Sequence, residues 1–257
     1  MRIDPRLEQI AGVQPFPLLF SSVSGAHLYG FESLDSDWDL RGVHVLPPEE
    51  VVGLDIGPLT VQDARMQEDL ELDLVTHDVL KFCKLLLKRN GYVLEQLYSP
   101  LVVTTSDLHS ELRSIAQDCI TSNTRHHYRG FAQTEWKLFE KSGYTALKPL
   151  LYVFRVLKTG IHLMRTGIVE ANLGLLLDEE PRFSYVADLI SEKRLNGERS
   201  NAPELDLAQV EADVASLHEM LEMAGLESRL PSEPTGHAAL HNFVVRVRLG
   251  SVAGDGQ

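Results

Sequence analysis

The sequence predicts an α+β protein: an N-terminal α/β portion with a small mixed sheet, then an all-α portion. Two observations carry this. Before about residue 105, strand-like runs ("FPLLFSSVSG", "LRGVHVLP", "LELDLVT") alternate with loops and one amphipathic stretch. Beyond it long helical apolar patterns take over. The change predicts a first domain over 1–105, a helical domain over 106–250 and a frayed tail over 251–257.

Each element has its own signal. In the first half the amphipathic stretch is His77 to Lys88, where Leu80, Cys83, Lys84 and Leu87 follow helical spacing. In the second half the helical patterns run over Ser106 to Thr121, His126 to Lys141, Pro149 to Arg165 and Leu205 to Ala224. Pro149 after Lys148 suits a helix start, and "AGL" at Ala224 to Leu226 suits a glycine stop. "PSEPTG", Pro231 to Gly236, reads as a hinge before a last element, "ALHNFVVRVRLG", and no internal repeat is visible.

Composition narrows the class. With 257 residues of which 44% are hydrophobic, the chain can bury a proper core. No apolar run approaches the roughly 20 residues needed to cross a bilayer. The first residues, "MRIDPRLEQI", have no apolar segment resembling a signal peptide, so a cytoplasmic protein without membrane association is expected. The two cysteines, Cys83 and Cys119, have neither the number nor the spacing of a disulfide framework or zinc site. They read as inert core residues in a reducing compartment. A formal charge of −13 argues against broad, sequence-blind binding to nucleic acid, which relies on Lys and Arg at phosphates; a local basic groove stays open.

The stretch "SGAHLYGFESLDSDWDLRG", Ser24 to Gly42, carries the chemistry. Asp35, Asp37 and Asp39 alternate, as in a calcium loop. That loop requires glycine at its sixth position and a bidentate glutamate at its twelfth, and counting from Asp35 these are Leu40 and Leu46. From Asp37 onward the residues read as a strand, so Asp37 and Asp39 project from one face with Cα atoms roughly 7 Å apart. Two carboxylates so placed can grip one small cation. Carboxylate oxygens completed by phosphate oxygens are what Mg²⁺ prefers, which implies a phosphate-bearing substrate. Upstream, Ser24-Gly25 closes a strand-like run and opens a turn whose amides can hold anionic oxygens. Read alone, D-x-D on a strand is as well explained by a charged edge that blocks aggregation.

Glycine turn, short helix, Ser36 and then a strand with D-x-D resemble the nucleotidyltransferase superfamily of DNA polymerase beta over Val23 to Val45. One departure is Ala26, where that superfamily usually has Ser or Gly after its first glycine. The resemblance implies a third carboxylate from a later strand. "EDLELDLVTHDVLKF" offers Asp69, Glu71 and Asp73 on one strand face; Asp73, nearer the apolar end, is the choice and Glu71 the reserve. The following "LLLKRNGYVLEQLYSP" is similar to the branch of predicted nucleotidyltransferases encoded near RNA ligases, which suggests RNA repair.

What the resemblance implies is a two-metal site. Asp37 and Asp39 would bridge two Mg²⁺ or Mn²⁺ ions, and Asp73 would share the ion that activates an attacking hydroxyl. An NMP would pass from an NTP such as ATP to an RNA end or a small molecule, expelling pyrophosphate. Arg41 is expected as an ion-pair partner holding the carboxylates. The nucleotide would be bound by Ser24, Gly25, His27 and Ser36, and by Lys148 and Arg155 from the helical half, which the superfamily uses to meet the triphosphate. Lys148, Arg155 and His162 recur every seven residues, a polar stripe that equally suits a solvated helix face. "TRHHYRG", Thr124 to Gly130, could meet a polynucleotide end or simply start a helix. The competing class is a non-catalytic, antitoxin-like interaction protein on the same fold.

Overall fold

A computed structural model describes residues 3–177 and 181–253; the side chains of 181 and of 251–253 are not described. In chain order the elements are α1 (Arg6–Gly12), β1 (Leu18–Val23), α2 (Gly25–Tyr29), β2 (Trp38–His44), α3 (Glu49–Val52), β3 (Thr60–Gln67) and β4 (Leu70–Asp78). Then come α4 (Val79–Leu87), α5 (Gly91–Tyr98), β5 (Val102–Thr104), α6 (Asp107–Ala116), α7 (Arg125–Lys141), α8 (Leu147–Thr166) and α9 (Leu173–Leu177). The last three are α10 (Tyr185–Asn196), α11 (Leu207–Glu227) and α12 (His237–Ala253). The α+β class expected from the sequence is what the chain adopts.

Two compact units emerge, and each is discontinuous in sequence. The first comprises residues 1–24, 37–119 and 234–257, the second residues 25–36 and 120–233. The expected boundary at 105/106 falls inside the first unit, which also takes α6 and α12. Of the expected tail, residues 251–253 continue α12, and 254–257 lie outside the described residues.

The first unit is built on a mixed five-stranded sheet in the order β3-β4-β2-β1-β5. β2 and β4 are its parallel pair; β1 pairs antiparallel with β2 and β5, and β3 antiparallel with β4. Strand periodicity assigns the two faces. Leu40, Leu72 and Leu74 point to one, against Leu7 and Ile10 of α1. The opposite face carries Asp39, Arg41 and Val43 of β2 and Asp73, Val75 and His77 of β4. α4 packs against β2 and β4, α5 and α6 against β1, and α12 against α4 and α6. Phe20 of β1 stacks on His109 of α6 with ring centroids 4.3 Å apart.

The amphipathic stretch from His77 becomes α4 two residues late, because Asp78 ends β4 and caps the helix by accepting from the Leu80 amide at 2.9 Å. Asp78 has no exposed surface, and Arg248 of α12 pairs with it at 2.6 Å. Cys83 and Cys119 are buried free thiols, pushed by burial up to about 12 and about 11.

In the second unit α8 is the central helix, packed by α7, α11, α9 and α10. Gly160 lets neighbours approach closely: a Cβ there would lie 2.9 Å from a Leu221 methyl and 3.0 Å from the Tyr128 Cβ. The glycine stop expected at "AGL" does not occur. α11 runs on to Glu227, and Gly225 instead makes room for the Arg125 side chain, whose Cδ a Cβ would meet at 2.1 Å.

Candidate active site

β2 and β4 run parallel, and the register sets Asp39 directly beside Asp73. Arg41, two residues further along the same face, reaches back to that rung. Its Nη2 donates to Asp39 Oδ1 at 2.5 Å and to Asp73 Oδ2 at 2.7 Å. Its Nη1 donates to the Asp73 carbonyl at 2.5 Å, and its Nε to the Tyr92 hydroxyl at 2.8 Å. Burial works against the Arg41 charge, but Tyr92 and the two carboxylates outweigh it and raise the guanidinium above its ordinary value. The expected ion-pair role of Arg41 is therefore what the structure shows, and Tyr92 is a partner that sequence spacing did not reveal. Tyr92 is held in turn by Asn90, which caps α5 and accepts from the Tyr92 amide at 2.9 Å.

The register separates the candidate third acids. Asp73 shares the rung with Asp39, while Glu71 is exposed on the preceding turn of the pleat. Asp69 is not on the strand: with Glu68 it forms the two-residue turn between β3 and β4, and it pairs with Arg6 at 2.6 Å. Asp37 lies one residue before β2 and is half-buried. Ser24 is fully buried at the end of β1, and its amide donates to the Asp39 carbonyl at 2.8 Å. That amide extends the sheet ladder and is committed to it.

Among the described residues, no group of three or more His, Cys, Asp or Glu side chains is arranged to hold a metal ion. Two acids nevertheless converge on one cationic nitrogen, and carboxylate oxygens are the donor type that Mg²⁺ and Mn²⁺ take.

The remaining nucleotide-binding candidates belong to the second unit. Gly25 opens α2 with φ +61°, and His27 is half-buried on that helix. Ser36 accepts from the Ser33 amide at 3.0 Å and donates to Glu198 at 3.1 Å. Glu198 also takes Lys148 on its other oxygen and Lys193, which is fully buried. Burial would raise the Glu198 carboxyl, but the hydrogen bonds from Lys148 and Lys193 prevail and hold it below the usual range. Asp35 of the original alternating triplet accepts from the Glu198 amide at 2.9 Å, which lowers its carboxyl as well.

Arg155 is neither solvated nor surface-lying. Its guanidinium is buried over the Tyr29 ring at 3.9 Å, with Phe131 and Tyr152 within 5.7 Å. The solvated-face explanation of the Lys148–Arg155–His162 stripe thus fails at its central member. "TRHHYRG" includes the start of α7 at Arg125. No described helix is long and apolar enough to cross a membrane.

The family model for RlaP, the RNA repair pathway DNA polymerase beta family, matches residues 1–246. An uncharacterized protein of Methanocaldococcus jannaschii is 33% identical over 149 residues, covering 58% of this chain and 61% of that protein, less than two thirds of its length. The uncharacterized protein YcgL of Bacillus subtilis is 27% identical over 225 residues, covering 84% of this chain and 80% of its own. Among solved structures, a nucleotidyltransferase-like protein from Exiguobacterium sibiricum aligns over 84% of this chain and 73% of its own, at 13% identity and a TM-score of 0.32.

Proposed function

Because the chain belongs to the RNA repair pathway DNA polymerase beta family, we propose that it is a metal-dependent nucleotidyltransferase that moves an NMP from an NTP to a hydroxyl acceptor. The family's description makes an RNA end the first acceptor to test. The observation that carries this reading is the Asp39–Asp73 rung, where two carboxylates converge on one positive centre. Asp39 and Asp73 would hold Mg²⁺ or Mn²⁺, with Asp37 contributing from just before the strand.

When bound, such an ion lowers the pKa of an attacking hydroxyl and offsets charge on the phosphoryl oxygens. The residues do the rest by placement. The paired strands β2 and β4 fix Asp39 and Asp73 at one level, a rigid backbone that would align an acceptor oxygen with the α-phosphate. The acceptor oxygen forms the new bond to the α-phosphorus, the bond to the β-phosphate oxygen breaks, pyrophosphate leaves, and the hydroxyl proton passes to solvent. Ser24, Gly25, His27, Ser36, Lys148 and Arg155 are proposed to serve nucleotide binding. For Lys148 this means exchanging Glu198 for a phosphate oxygen.

Incubation with each α-labelled NTP, Mn²⁺ or Mg²⁺ and a panel of RNA 3′ ends and small hydroxyl compounds tests the reading. Label transfer that disappears in Asp39→Asn supports it. Absence of transfer, together with undiminished Mn²⁺ binding in the Asp39→Asn and Asp73→Asn variants, would leave the non-catalytic interaction protein as the better account.

A further inference from the structure

We propose that Arg41 is a resident counter-cation of the Asp39–Asp73 pair, holding the place of a divalent ion so that metal enters by exchange and in company with a nucleotide. The inference rests on the metal reading above and adds an order of loading to it.

The geometry makes Arg41 more than a neighbour of the acids. Nη2 sits between Asp39 Oδ1 and Asp73 Oδ2 at 2.5 and 2.7 Å, so an ion shared by those two oxygens and this nitrogen exclude each other. The guanidinium is also anchored by groups other than the carboxylates. Tyr92 takes Nε, and the backbone carbonyls of Asp73 and Leu40 take Nη1 at 2.5 and 3.3 Å. With no other cation present, these contacts aim Nη2 at the acids.

Charge points the same way. An arginine cannot shed its proton, and one whose residue is only 7% exposed needs an opposite charge close by. The two carboxylates supply it, and Arg41 in turn offsets half of their charge. A bare divalent ion therefore meets a partly neutralised site with a fixed cation in its path. A nucleotide changes both conditions. Its phosphates add negative charge, and they offer the released guanidinium a planar, two-pronged partner equal to the carboxylates it gives up.

The test compares Mn²⁺ binding and thermal melting in the wild type, Arg41→Met, Tyr92→Phe and Asp39→Asn, with and without a non-hydrolysable α,β-methylene NTP. In the wild type, the nucleotide should tighten Mn²⁺ binding by about tenfold or more. Arg41→Met should bind Mn²⁺ alone about tenfold more tightly than the wild type, melt lower when metal-free, and regain that loss when Mn²⁺ is added. Should Arg41→Met fail to fold, Tyr92→Phe keeps the charge but loosens the anchor, and should tighten metal-alone binding by about twofold to fivefold. Binding in Arg41→Met no tighter than in the wild type, or in Tyr92→Phe when only that variant folds, with Asp39→Asn still abolishing it, would overturn the exchange while leaving the metal site intact. No Mn²⁺ binding by any variant, with or without nucleotide, removes the metal site and the inference together.

Discussion

Asp39 and Asp73 occupy the same rung of neighbouring parallel strands, and Arg41 Nη2 donates to both. On the proposed reading both acids serve one metal site. Asp39→Asn and Asp73→Asn should each lower nucleotidyl transfer by about a hundredfold or more. Asp73→Asn should keep nucleotide affinity within about tenfold, since a contact made mainly in the transition state affects turnover more than binding. Glu71→Gln, on an exposed position outside the rung, should leave transfer within a few-fold. Steady-state kinetics and calorimetry decide it; loss of transfer in Glu71→Gln with retention in Asp73→Asn would reverse the assignment.

Glu198 is the counter-charge of a lysine with no exposed side-chain surface, so its replacement reports on stability. Glu198→Gln should destabilise the protein by about 2 to 3 kcal/mol, the cost of leaving Lys193 with a neutral partner. Because the Glu198 carboxyl is held below its usual value in the fold, its contribution is present above the ordinary glutamate range and is lost as pH falls through the lower folded value. Urea titrations at neutral and acidic pH check both points. Equal pH dependence in wild type and variant would show that another acid governs the acidic limb.

His77 supplies the opposite sort of titration. Burial, aided by the charge of Lys81, depresses its imidazole to about 4, so it is neutral in the fold where an unfolded histidine, with a pKa near 6.5, begins to charge. The folded state binds fewer protons across that window, and stability should fall as pH drops from about 6.5 toward 4. His77→Gln should flatten this part of the melting-temperature profile. Buried His44, also depressed by burial, should leave a smaller slope of the same sign.

Gly197 has φ +90° and ψ −178°, a region that residues with a Cβ avoid, and a Cβ there would meet Asp35 Oδ2 at 2.8 Å. Gly197→Ala should therefore cost about 1 to 3 kcal/mol. Adding Asp35→Ser removes the clash but not the backbone strain, so the double variant should recover part of the loss relative to Asp35→Ser alone. Full additivity in a double-mutant cycle would show that Asp35 does not press on this turn.

Asp39 was legible in the sequence because a strand repeats every two residues; Asp37, set on the same face by that alternation, lies one residue before β2. The sequence favoured Asp73 over Glu71 only by its nearness to the apolar end of the strand; that Asp73 is the residue beside Asp39 depends on pairing register, which no local pattern records and the β2–β4 ladder shows. Strand β3 was missed because "TVQDARMQ" lies at the sheet edge with mostly polar, solvent-facing residues and little apolar alternation. Helix α10 was missed because its apolar residues do not gather on one clear side of "YVADLISEKRLN". The Lys193–Glu198 pair is a tertiary product: Lys193 looks like any charged helix residue until folding removes all its exposed surface. Gly225 misled for a similar reason, since a glycine that makes room for Arg125 reads like one that ends a helix.

The pairing of buried Asp78 with Arg248 has a consequence for how the chain is made. The sheet-bearing unit draws on residues 1–24, 37–119 and 234 onward, with residues 120–233 belonging to the other unit. A growing chain thus completes the helical middle before the sheet receives its last helix, and the 170-residue separation of Asp78 from Arg248 makes their meeting a long loop closure. A nascent chain stalled short of residue 234 should be open to proteases around α4 and already protected within α8. Sheet residues made before the helical middle would then be among the last to become native.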